Sequence, residues 1–113
     1  MKHDTLDFDA ARTIYGAINH SRFEDLRRDL LESAIRYAGL RVQWLQMDGE
    51  ARADMDGRRS RAHEAFIDQC NILARNMAAC GEDASWREVL GQHRKSIGDF
   101  ACFVHLFLGI AAR

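Results

Sequence analysis

Apolar residues recur at helical spacing along most of this chain, and the breaks in that pattern mark out its elements. Ala11, Ile14, Tyr15 and Ile18 predict a first, short helix over residues 4–19, with Asp4 as N-cap and Asp7 in the first turn. His20-Ser21 ends it. Ser21-Arg22-Phe23-Glu24 has the capping-box form and predicts a new start. Phe23, Leu26, Leu30, Leu31, Ala34, Ile35, Tyr37, Ala38, Val42 and Leu45 then form a stripe wide enough to face more than one neighbour. Trp44 and Met47 extend it toward Gly49, which suits a left-handed helix end. The small, charged, glycine-containing stretch 50–57 is the expected turn between two long helices, though the helix could resume as early as Glu50.

The third helix is predicted from about Arg58 to Cys80. Ala62, Phe66, Gln69, Cys70, Leu73, Met77 and Cys80 share one face, and Glu64, Asp68, Asn71 and Arg75 lie opposite. Gly81 stops it. Ser85 and Glu88 repeat the capping-box spacing before a short helix to Leu90, and Gly91 breaks that helix. After a break near residues 91–96, Ser96-Ile97-Gly98-Asp99 opens a terminal helix running to about Ala112. This last segment, Phe100-Ala101-Cys102-Phe103-Val104-His105-Leu106-Phe107-Leu108-Gly109-Ile110, is apolar on every side of a helix. The expected fold is therefore all-α, one domain over 1–113: a bundle of about four helices built on a long antiparallel hairpin, with an apolar C-terminal helix. A chain of this size leaves part of that apolar surface, with Trp44, Ile67 and Ile72, uncovered. A homodimer is the expectation, through the long helices or the terminal one.

Composition narrows the partners. The chain has 113 residues with 16 basic and 17 acidic side chains, a formal charge of −1 that supplies no general attraction to nucleic acid or an anionic membrane. Arg58, Arg59 and Arg61 cluster, yet they lack the aromatic interleaving and basic excess of a nucleic-acid surface. Proline is absent, which favours long uninterrupted helices. Cys70, Cys80 and Cys102 are odd in number and have no CxxC spacing, as expected of reduced thiols in a cytoplasmic protein. The start, Met1-Lys2-His3-Asp4, has no basic region followed by an apolar core, so no export signal is expected. The terminal run is shorter than the roughly 20 apolar residues of a membrane span and holds His105.

Candidate chemistry rests on four groupings. Asp29 and Glu32 share a face of the second helix, and Glu64 and Asp68 a face of the third. Four carboxylates on two antiparallel helices could hold Mg²⁺ for phosphate hydrolysis. The grouping resembles the paired acids of MazG-like all-α nucleotide pyrophosphatases, whose pattern is two E-x-x-[ED] pairs. Glu64 and Asp68 depart from that spacing and lie opposite their helix's apolar stripe, where a solvated face is the simpler reading. His63, Cys70, Cys102 and His105 are ligand types for zinc but lack knuckle spacing, so packed core residues are expected and no metal. Asp54-Met55-Asp56-Gly57 fails as a calcium loop, because Gly57 at its sixth position puts Arg52 first and His63 twelfth. Finally, Asn71, Arg75, Trp86, Arg87, Arg94 and Asp99 surround the turn before the terminal helix. They are expected to form structural ion pairs or a small ligand pocket, with Arg94 or Arg75 paired to Asp99.

The runs His63–Arg75, Ser85-Trp86-Arg87 and Arg94–Ala101 resemble a family of short bacterial proteins of unknown function. That resemblance implies a small, helical, cytoplasmic bacterial protein and no particular activity. The expected function is a non-catalytic interaction or regulatory protein, with a possible protein partner. The alternative is the Mg²⁺-dependent nucleotide phosphohydrolase.

Overall fold

In the computed structural model, which describes residues 6–111 (side chains through 108), five helices are packed around one core. They are α1 (Phe8–Asn19), α2 (Glu24–Gln46), α3 (Gly49–Ala79), α4 (Trp86–Leu90) and α5 (Arg94–Ala111). The fold is all-α, and the described residues include no strand. At 1.5 Å per residue a 31-residue helix is about 46 Å long, and α3 therefore sets the 47 Å long dimension of the molecule.

Helices α2 and α3 form the antiparallel hairpin, joined by Met47 and Asp48 alone. The turn thus falls before the 50–57 stretch, and α3 starts at Gly49, next to the earliest restart expected, Glu50, and well before Arg58. The reason is local. Asp48 acts as N-cap, its carboxylate accepting the Ala51 N–H at 2.9 Å, so Gly49 opens a helix instead of closing one. Gly57 then lies inside α3, where the guanidinium of Arg61 folds back over it; a Cβ there would stand 3.2 Å from Arg61 Nη1. Arg52 completes the turn by donating to the carbonyls of Trp44 (3.0 Å) and Leu45 (3.1 Å), two of the acceptors that the end of α2 leaves without helical partners. The guanidinium carbons of Arg52 and Arg59 lie 4.4 and 4.1 Å from the Trp44 ring centroid, and Trp44 Nε1 donates to Asp56 at 2.8 Å. The tip of the hairpin is clasped from both strands of the turn.

Three expected serine caps are used differently. Ser21 is buried, and its hydroxyl accepts the Phe23 N–H at 3.2 Å, closing a turn before α2, which starts at Glu24 with no side-chain cap. Ser85 precedes α4 without a capping bond; its own N–H donates to Asp83 at 2.9 Å. Ser96 lies inside α5, which begins at Arg94. Its buried hydroxyl reaches back to the carbonyls of Leu90 (3.0 Å) and His93 (2.9 Å) and ties α5 to the end of α4. The break between α4 and α5 is correspondingly short, residues 91–93. At the start of the chain α1 is capped by Asp7, which accepts the Ala10 N–H at 2.7 Å; the expected cap, Asp4, lies outside the described residues. Gly81, with φ +80°, ends α3 in a Schellman motif: Glu82 N–H donates to the Met77 carbonyl at 2.9 Å and Gly81 N–H to Ala78 at 3.1 Å.

Ile14, Ile18, Leu30, Tyr37, Phe66, Cys70, Leu73, Leu90, Ile97, Phe100 and Val104 are fully buried. Tyr37, Phe66, Phe100, Phe103 and Phe107 form a stacked series with successive centroids 6.5, 6.2, 6.4 and 5.7 Å apart. This series carries the core from the hairpin through α5 to the surface. Helix α1 lies against α4 and α5, and Trp86 is buried with its Nε1 3.4 Å from Met77 Sδ. No helix among the described residues is long and apolar enough to cross a membrane.

Candidate functional site

The carboxylate grouping is not assembled. Glu32, Glu64 and Asp68 are exposed, and Asp29 lies 3.6 Å from Arg28. Among the described residues, no three His, Cys, Asp or Glu side chains stand where they could share a metal ion. This also disperses the thiol–imidazole set. Cys70 is fully buried and burial pushes its thiol up to about 12, with Arg87 opposing weakly, while His105 is exposed. His63 is held below its ordinary value, first by burial and then by the Arg94 guanidinium, with Glu64 opposing and Arg59 adding to the depression. It meets Tyr37 edge-on at 5.2 Å, and its Nε2 is buried without a hydrogen-bond partner.

The polar grouping around the terminal helix divides into separate parts. Arg87 donates to Asn71 Oδ1 and to the Gly91 carbonyl, both at 2.7 Å, and so fastens α4 to α3. Trp86 belongs to the core. Arg75 and Arg94 are exposed and make no ion pair among the described residues. The partner of Asp99 is neither of them. Arg41 Nη1 stands 3.7 Å from Asp99 and 3.5 Å from Cys102 Sγ, and Lys95 Nζ is 4.0 Å from the same carboxylate. Gly98 makes this possible: a Cβ there would meet Arg41 Nη1 at 2.9 Å. A cation on the buried stripe of α2, four residues after Tyr37, was the available signal for this pair.

Beyond Asp99 and Cys102 the surface opens into a groove of about 460 Å³ between the start of α1 and the outer face of α5. Leu6, Phe8 and Ala11 form one wall, and Phe103, Leu106 and Phe107 the other. Phe103 is its floor, in edge contact with Phe8 at 5.3 Å and Tyr15 at 6.2 Å. The rims protrude into solvent: Phe8 is 64% exposed, Leu106 67% and Phe107 40%. The terminal helix is therefore not covered on every side. Its third face is bare where neither α1 nor α2 reaches. The groove is mostly apolar; its two carboxylates are Asp7, which caps α1 on the Ala10 N–H, and Asp99, which faces Arg41 and Lys95. Such a site can hold apolar side chains. Phe8 was not singled out from the sequence, although it precedes Ala11 by three and Tyr15 by seven, the helical spacing that could have found it. No family model matches the chain, and neither a curated protein nor a solved structure matches it.

Proposed function

We propose that this chain is a non-catalytic interaction protein of the cytoplasm that pairs with a second copy of itself through the α1–α5 face. One observation carries the reading: the groove and the side chains that protrude beside it, Phe8 and Leu106, belong to the same patch. A two-fold axis through such a patch sets the protrusion of each copy into the groove of the other, the self-complementarity that an isologous interface requires. Burying Phe8, Leu106 and the exposed part of Phe107 in each copy supplies the driving force, at about 1.5–3 kcal/mol for a side chain fully removed from water. The compartment is read from the thiols. Cys70, Cys80 and Cys102 are unpaired, and Cys80 is exposed, which suits a reducing environment.

Light scattering coupled to size exclusion tests the pairing. The wild-type chain is expected to run as a dimer at micromolar concentration. Leu106→Glu is expected to run as a folded monomer with an unchanged helical circular dichroism spectrum, since the side chain is already largely in water. Val89→Glu, at an equally exposed apolar position on α4, is expected to stay dimeric. A wild-type monomer would overturn the reading.

A further inference from the structure

The α2–α3 hairpin carries a second, differently built groove that shares no lining residue with the first. It measures about 390 Å³ and is lined by Arg36 and Leu40 of α2 and by Arg58, Arg61, Ala62 and Ala65 of α3. The register explains why these residues meet. Trp44 stands opposite Asp56 and Tyr37 opposite His63, so Arg36 and Leu40 fall level with residues 58–65. On α3, Arg58, Arg61 and Ala65 follow one another at spacings of three and four and share a face; on α2, Arg36 and Leu40 do the same.

The three arginines differ from most others in the molecule. Arg12, Arg22, Arg27, Arg28, Arg41, Arg52, Arg59 and Arg87 each make a hydrogen bond or ion pair within the chain. Arg36, Arg58 and Arg61 make none to the described residues, although they rim one groove. Arg59, their neighbour in sequence, is turned instead toward Trp44 and Asp56. Three like charges held at one groove repel each other, and an anion placed among them removes that repulsion. The floor of Leu40, Ala62 and Ala65 is apolar and mostly small, which leaves room above it and supplies no competing acceptor. Gly57 lets the Arg61 guanidinium lie flat along α3, where a Cβ would stand 3.2 Å from Nη1. The acids that flank these arginines on their own helices, Glu32 on α2 and Asp54, Glu64 and Asp68 on α3, are exposed and belong to no ion pair among the described residues.

We infer that this groove binds an oligophosphate group, two or more linked phosphoryl units, through the guanidiniums of Arg36, Arg58 and Arg61. Guanidinium forks match phosphoryl oxygens two at a time, and three forks from two helices suit a compact group carrying about three negative charges. Inorganic pyrophosphate and the diphosphate of a nucleotide share this chemistry. The site is independent of the α1–α5 pairing.

The test is a titration of ¹⁵N-labelled full-length protein at low ionic strength with pyrophosphate, ADP, inorganic phosphate and a single-stranded oligonucleotide, in separate arms. Pyrophosphate is expected to shift the side-chain Nε–Hε signals of Arg36, Arg58 and Arg61 and to bind more tightly than inorganic phosphate. ADP binding equally well identifies the diphosphate alone as the recognised part; ADP binding better identifies a nucleotide. Each Arg→Gln substitution at 36, 58 or 61 is expected to weaken binding roughly tenfold, and Arg12→Gln and Arg75→Gln to leave it unchanged. The Leu106→Glu variant is expected to bind normally, so failure of the dimer does not bear on this site. No response at millimolar pyrophosphate, equal loss from Arg12→Gln or Arg75→Gln, or tighter binding of the oligonucleotide than of pyrophosphate would each overturn the proposal.

Discussion

Asp99 shows how a single side chain is settled by neighbours remote in sequence. Its need for a cation follows from its position beside Phe100 on a largely apolar helix. The cation is Arg41, 58 positions away, and it reaches the carboxylate only because Gly98 leaves the space. The cysteines divide in the same way, by packing. Cys70 is fully buried with its thiol pushed up to about 12, while Cys80 is exposed at the end of α3. Native protein treated with a thiol reagent is expected to label Cys80 rapidly, and Cys70 only after denaturant opens the core; mass spectrometry of the digested adduct reads the order. His63 makes stability depend on pH. Its folded value is depressed, so the fold carries it neutral, while the unfolded chain takes up a proton as pH falls through about 6.5. Stability is therefore expected to fall on acidification from about pH 7.5 to about pH 5.5, and His63→Gln to flatten that part of the curve. Denaturant midpoints across this range measure it.

At the scale of elements, local signals located the helices better than their ends. The expected bundle of about four helices, with a short segment after Ser85, became five helices, and Gly81 and Gly91 closed α3 and α4 with positive φ. The boundaries moved wherever two caps competed. Asp48 and Gly49 are adjacent, and the pair reads equally as an end or a start. The Asp48 carboxylate on Ala51 decides for a start, and Arg52 then serves the carbonyls at the end of α2. Asp48→Ala is expected to cost about 1 kcal/mol. Its effect should be local: hydrogen exchange is expected to rise in residues 48–54 before it rises in the core around Phe66. The serine motifs misled for a related reason. Ser21 and Ser96 are buried at helix junctions, where bonding an adjacent turn or the preceding helix satisfies a hydroxyl as well as capping does.

For the molecule as a whole, the stacked series from Tyr37 to Phe107 joins the core to the surface. Its last members lie in the groove beside Phe8, so the proposed pairing surface continues the core instead of forming a separate patch. If two copies close over it, association and folding are coupled. The thermal midpoint is then expected to rise with protein concentration in the wild type and to be independent of it in Leu106→Glu. Differential scanning calorimetry at two concentrations distinguishes the two, and a wild-type midpoint that does not move would count against the pairing. The arginine groove is lined by α2 and α3 and shares no lining residue with the α1–α5 groove.

Periodicity, the missing prolines and the glycine stops determined an all-α chain with a long hairpin and an apolar last helix, because helical spacing and helix termination are properties of neighbouring residues. Which polar groups meet is a different matter. The Arg41–Asp99 pair, the dispersal of Asp29, Glu32, Glu64 and Asp68, and the convergence of Arg36 with Arg58 and Arg61 depend on helix register and rotation. Those are set by how side chains such as Tyr37, Phe66 and Phe100 interlock across helices, and no local pattern encodes that fit.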